Sequence, residues 1–199
     1  MTVLEVLQST TDYFKKRGIE RARLNAEHFL AHALKRKRIE LYLEFERELS
    51  EAQLAPLREL VKRRGRGEPL QHLLGTVEFA GQIFLCDKRA LVPRQETEQI
   101  VELLQAKIPN PKSKIVDVGT GSGVIALSLA VKFPEATVTA MDLSDDALNL
   151  ARENAKRLGL TSRIEFLRGD LLANLQERNA MTYVNHVYDL IVAPITASA

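Results

Sequence analysis

Apolar residues recur at helical spacing through the first third of the chain and fall into short continuous runs after residue 114. Val3, Val6, Leu7, Tyr13 and Phe14 share one face of a first helix. Thr2 with Glu5 three residues on forms a capping-box pattern ahead of it, and Gly18 closes it. Asn25 is positioned to cap a second helix carrying Phe29, Leu30, Ala33 and Leu34. Further helical segments fall near Ile39–Leu43 and Ser50–Arg63, the latter opened by a Ser50/Gln53 capping pair. Gly65-Arg66-Gly67-Glu68-Pro69 then breaks the pattern. Residues 75–85 read as two short strands around Ala80-Gly81, a hairpin. The segment 91–98 leads into a helix through Ile100, Val101, Leu103 and Leu104, which ends before Pro109-Asn110-Pro111.

From there strands and helices alternate. Ile115–Val118 is a strand followed by a helical run through Ala130, and Thr137–Met141 is a strand ending at Asp142. A helix begins at Ser144 with Ala147, Leu148, Leu150 and Ala151 inward. Ile164–Leu167 and Tyr188–Val192 are two more strands. Alternation with continuous apolar strands predicts a parallel α/β sheet. The expected layout is a helical domain over 1–66, a hairpin linker over 67–92 and an α/β domain over 93–199.

The chemistry concentrates at Asp117-Val118-Gly119-Thr120-Gly121-Ser122-Gly123, between the first α/β strand and its helix. Alternate glycines let backbone N–H groups approach a ligand, and a helix N-terminus favours negative charge. The same turn also serves an ordinary strand-to-helix connection. The spacing is G-x-G-x-G, not the G-x-G-x-x-G of dinucleotide binders. Asp117 would repel a pyrophosphate but accept from an ammonium group. A ligand with an amino-acid end and a nucleoside end fits, and S-adenosylmethionine (SAM) is one. Asp142, about 20 residues on, is set to take ribose hydroxyls; the competing role is helix capping, which Ser144 and Asp145 can do instead. Asp170 is either an acceptor for an adenine amino group or a cap, and Leu171 can pack on the ring.

Composition narrows the class. The chain has 199 residues, 45% hydrophobic and 27% charged, enough for one main domain and a smaller one. It has no apolar run of membrane-spanning length and no secretory signal pattern at its start, and its single cysteine, Cys86, allows no internal disulfide. A cytoplasmic protein is expected. Cys86 sits beside Phe84 and Leu85, which suits a structural role over a nucleophilic one. Residues 1–75 hold 15 Lys and Arg against 11 Asp and Glu, while residues 76–199 hold 13 against 15. The basic clusters Lys15-Lys16-Arg17, Lys35-Arg36-Lys37-Arg38 and Lys62-Arg63-Arg64 with Arg66 form either solvated helix faces or a docking surface for an acidic protein or RNA. His28 and His32 share a face but have no third ligand nearby, so no metal site is expected.

Taken together, these residues resemble a class I SAM-dependent methyltransferase, and more narrowly the HemK-type release factor glutamine methyltransferases. Gly67-Glu68-Pro69-Leu70 with Gly75, and Glu78-Phe79-x-Gly81, are similar to that family. So is Leu91-Val92-Pro93-Arg94-x-Glu96-Thr97-Glu98, the most specific segment. Val116-Asp117-x-Gly119-Thr120-Gly121-Ser122-Gly123, Asp142-x-Ser144 and Gly169-Asp170-Leu171 match the cofactor motifs. The resemblance implies a helical domain that helps grip a peptide chain release factor, a Rossmann-like domain that holds SAM, and methylation of the glutamine side chain in a Gly-Gly-Gln tripeptide. It implies cofactor contacts at Asp117, Gly119, Thr120, Gly121, Ser122, Gly123, Asp142, Asp170 and Leu171, and a cavity lined by Arg94, Glu96 and Thr97. Gln95 replaces a proline usual in the family.

The family's catalytic loop, Asn-Pro-Pro-Tyr, follows the fourth strand, where its carbonyl acceptors orient the amide nitrogen. Here Ala193 and Pro194 stand in that place, and no Asn follows the strand. The chain therefore reads as an incomplete Rossmann-like methyltransferase sheet, monomeric if folded, that lacks the family's last third. The competing functions are a catalytically inactive fragment or binding module, and a nucleic-acid base-amino methyltransferase. In the first reading any nucleic-acid contact is indirect, through the release factor.

Overall fold

The computed structural model describes residues 1–108, 110–169 and 190–192. Two compact units divide the chain, Met1–Leu74 and Gly75–Ala199.

The first unit is helical: α1 (Val3–Lys16), α2 (Ala22–Leu34), a 3-10 turn (Arg38–Leu43), α3 (Glu51–Gly65) and α4 (Leu70–Leu74). The Thr2/Glu5 capping box forms on α1, and the Ser50/Gln53 pair opens α3. Leu7, Phe14, Phe29 and Leu30 make the core, with the Phe14 and Phe29 rings 6.0 Å apart. Asn25 is not the cap of α2. Arg21 takes a left-handed φ of 50° and starts the helix earlier. The Asn25 amide instead reaches back to the Glu20 and Arg21 carbonyls and accepts from Arg64 Nε at 2.9 Å. The break at residues 65–69 is only the turn between α3 and α4. Leu73 of α4 is buried in the helical core, so this unit extends to Leu74.

The second unit begins with the antiparallel hairpin β1 (Thr76–Phe79) and β2 (Gln82–Leu85). Then come α5 (Glu96–Lys107), β3 (Lys114–Val118), α6 (Val124–Lys132), β4 (Thr137–Asp142), α7 (Asp145–Arg157), β5 (Ile164–Arg168) and β6 (Leu190–Val192). β3 to β6 form one parallel sheet in the order β5-β4-β3-β6. Ile115, Val116, Val138 and Ala140 are fully buried and Thr139 nearly so, as expected of strands covered on both faces. Phe79 and Phe84 belong to the same core, so the hairpin is part of the α/β unit. The fold is α/β and Rossmann-like, preceded by a helical unit and a hairpin. The chain runs outward from β3 through β4 to β5 and then returns to the other side of β3. That reversal is the switch point beside which open α/β sheets bind ligands.

Candidate cofactor site at the glycine loop

The carboxyl ends of β3 and β4 bring the glycine loop, Asp117 and Asp142 together. Gly119, Gly121 and Gly123 have φ of 71°, 57° and 82°, the region that favours glycine. Gly123 has a second requirement. A Cβ there would stand 2.9 Å from Leu127 Cδ1 and 3.0 Å from Ala151 Cβ. Helix α7 therefore presses directly on the turn.

Asp117 is 1% exposed. Its Oδ2 accepts from Thr120 Oγ1 at 2.7 Å and from the Ala126 N–H at 3.2 Å. Its Oδ1 is buried with no partner. Burial, with Asp142 nearby, pushes the carboxyl up to about 6 despite those two donors. Thr120 is held from a second side, since its N–H donates to the Met141 carbonyl at 2.8 Å.

Asp142 is half-buried, and each of its carboxylate oxygens accepts one backbone N–H. Oδ2 accepts the Gly121 N–H at 2.8 Å and Oδ1 accepts the Ser144 N–H at 2.9 Å. Ser144 caps α7 through Ala147, as the sequence suggests. Asp142 is thus relieved of capping but is not free, because it braces the glycine loop. The Gly169 N–H donates to the Asp142 carbonyl at 3.0 Å, so the end of β5 meets the end of β4.

Asp170, Leu171, Ala193 and Pro194 lie outside the described residues. Val192 is nevertheless the register partner of Asp117 across β6 and β3. β6 therefore ends at the level where β3 enters the glycine loop. Glu96 and Thr97 start α5 and Arg94 lies just ahead of it; Arg94 and Glu96 are exposed, and the Thr97 N–H donates to the Arg94 carbonyl. The segment ahead of them passes the loop at Ala90, whose Cβ lies 3.8 Å from where a Cβ on Gly121 would sit.

Two residues escaped the sequence reading. Leu143, directly after Asp142 in the chain, is 65% exposed. Its signal was available: an apolar residue directly after a strand-end acid. Asn154 is completely buried and hydrogen-bonded to the loop; nothing in helical spacing marks it. Cys86 is buried and its thiol is pushed up to about 11, which leaves it a poor nucleophile. His28 Nε2 faces Arg38 at 3.4 Å, an unfavourable setting for a metal cation.

A Rossmann-like sheet with an alternate-glycine loop and an acid at each neighbouring strand end defines a nucleoside-binding α/β protein. The chain belongs to the methyltransferase small domain family, whose pattern matches residues 86–187, and residues 5–75 match the PrmC N-terminal domain. Similar curated relatives are release factor glutamine methyltransferases. That of Rhodopirellula baltica is 42% identical over 180 residues, covering 88% of this chain and 61% of its own. That of Geobacter sulfurreducens is 38% identical over 192 residues, covering 96% and 64%. The chain thus spans about three fifths of the length of the curated relatives it matches. Among solved structures, a SAM-dependent methyltransferase from Geobacter sulfurreducens in complex with S-adenosyl-L-homocysteine gives a TM-score of 0.32 at 26% identity, covering 36% of this chain and 28% of its own.

Proposed function

We propose that the α/β unit binds S-adenosylmethionine and serves methyl transfer to the glutamine side-chain amide of a Gly-Gly-Gln segment in a peptide chain release factor. The observation that carries the cofactor half is Asp117 Oδ1, a buried carboxylate oxygen with no partner beside a glycine cradle. Such an oxygen calls for a cation, and the methionine ammonium supplies one. Glycines 119, 121 and 123, with Thr120 and Ser122, allow the backbone to approach the amino-acid end. Asp142 keeps lone pairs beyond the two N–H groups it accepts, enough for ribose hydroxyls. Leu143, with Asp170 and Leu171, offers contacts to the base.

The bound sulfonium supplies an electrophilic methyl group. An amide nitrogen is a weak nucleophile, so the protein's task is orientation more than proton removal. Arg94, Glu96 and Thr97 are assigned to the substrate side, because the Ala90 segment that leads to them runs past Gly121. The substrate half is supported by the relatives' names and by the helical unit. There, a cavity of about 500 Å³ between α1 and α3 has an apolar floor of Val6, Leu54 and Leu57. Lys62 and Arg66 stand on its rim without a carboxylate partner among the described residues. An acidic segment of a protein partner suits that rim. A monomer in the cytoplasm is the implied setting. None of the described helices is long and apolar enough to cross a membrane.

A second reading is SAM binding without transfer, favoured by Ala193-Pro194 where the resemblance calls for Asn-Pro. Calorimetric titration with SAM, followed by transfer of labelled methyl to a release factor, separates the two. Saturable binding with labelled glutamine supports the first reading, and binding without label supports the second. No binding by a folded chain overturns both.

A further inference from the structure

Asn154 lies in the third turn of α7 and is completely buried. Its amide makes three hydrogen bonds, and both Nδ2 hydrogens are used. Oδ1 accepts the Leu85 N–H at 2.6 Å, while Nδ2 donates to the Leu85 carbonyl at 3.2 Å and to the Ser122 carbonyl at 2.9 Å. Leu85 ends β2 of the hairpin, and Ser122 is in the glycine loop. One side chain thus stands in for a peptide group, pairing with a strand end on one side and the loop on the other. Ala151, one turn earlier on the same helix face, is the residue that presses on Gly123. α7 therefore holds the Ser122–Gly123 peptide by contact and by hydrogen bond at once. A buried side chain that satisfies three backbone groups leaves all three unpaired when it is lost.

We propose that Asn154 is a positioning residue for the glycine loop, fixing the Ser122–Gly123 peptide and coupling it to Leu85 of the hairpin. The inference rests on the reading of this loop as the SAM cradle. Cofactor affinity then depends on a helix residue outside the loop, and cofactor binding is felt at the hairpin.

The full chain with Asn154→Asp keeps the shape and the Oδ1 acceptor but turns a carboxylate toward two carbonyls. In folded variant protein, judged by an unchanged circular dichroism spectrum, SAM should bind at least about tenfold more weakly, the consequence of losing both buried Nδ2 hydrogen bonds, of which the one to Ser122 holds the loop. Amide exchange at Gly121 and Gly123 should be faster without ligand, with Val138 in β4 as the unchanged control. Unaltered affinity together with unaltered loop exchange overturns the proposal. Should Asn154→Asp fail to fold, the parent chain provides the test: SAM should slow exchange of the Leu85 N–H, and no change there overturns the coupling. Should the parent not bind SAM, the functional reading fails by itself. The ligand-free exchange comparison then decides Asn154's role, and unchanged Gly121 and Gly123 rates sink it.

Discussion

Asp142 at the end of β4 accepts the Gly121 backbone N–H at 2.8 Å, joining two residues 21 apart in the chain. The acid is therefore a structural brace for the glycine loop as well as a candidate for the ribose. Asp142→Ala should abolish measurable SAM binding. It should also destabilise the ligand-free chain by about 1–3 kcal/mol, since it leaves the Gly121 and Ser144 N–H groups without their charged acceptor. Calorimetric titration and denaturant unfolding read the two effects. A variant as stable as the parent would show that the brace contributes nothing.

Asp117 should make the chain more stable in mild acid than at neutral pH. Its folded-state carboxyl titrates near 6, above the ordinary value of 3.8. Between pH 4 and 6 the folded chain therefore holds more protons than the unfolded one, and stability falls as pH rises through that window, then levels off. Asp117→Asn should remove this part of the slope and raise stability at pH 7.5 by about 1 kcal/mol, the two-unit shift offset by burying amide hydrogens where Oδ1 has no partner. The same substitution should weaken SAM binding, because the ammonium loses its counter-ion. Thermal melts from pH 4 to 8 on both proteins check the sign; a parent whose melting temperature rises from pH 4 to 6 more steeply than the variant's contradicts it.

The glycines are not equivalent. Gly121→Ala meets only Ala90 at 3.8 Å and carries the left-handed backbone alone, a cost of about 1–2 kcal/mol. Gly123→Ala adds contacts at 2.9 and 3.0 Å to Leu127 and Ala151 inside the core. Overpacking of that kind costs about 1–3 kcal/mol more. Urea unfolding of the two variants should rank them in that order; equal midpoints would contradict the pressed geometry at α7.

The helical unit should be tested apart from the cofactor. Lys62→Glu together with Arg66→Glu should weaken release factor binding by about tenfold at low salt, with a smaller effect at high salt as screening removes the attraction. SAM affinity should be unchanged. Surface plasmon resonance at two ionic strengths measures the first and calorimetry the second. An unaltered release factor affinity removes this rim from the docking surface.

Much of this architecture is legible in the residues. The capping boxes at Thr2 and Ser50 act over three residues, and the β3 and β4 runs are apolar because both faces are covered. Those signals are local, so sequence carries them. The glycine spacing and the strand-end acids are also local, which is why the loop could be found. Asn25 shows the limit. As a cap its side chain needs only a helix start, but the left-handed Arg21 moved that start and Arg64, 39 residues away, claimed its oxygen. The break after α3 likewise reads as a boundary until Leu73 is seen buried in the helical core.

The sequence by itself determined the elements, the glycine loop, the acids at the strand ends and the family resemblance, because each depends on backbone preference or spacing within a few residues. Only the tertiary structure decided that Asp142 braces Gly121, that Asp117 keeps one oxygen unpartnered, that Val192 stands level with Asp117, and that Asn154 ties the loop to the hairpin. Those relations join segments tens of residues apart, and they arise from how the sheet and α7 pack, which no local pattern encodes.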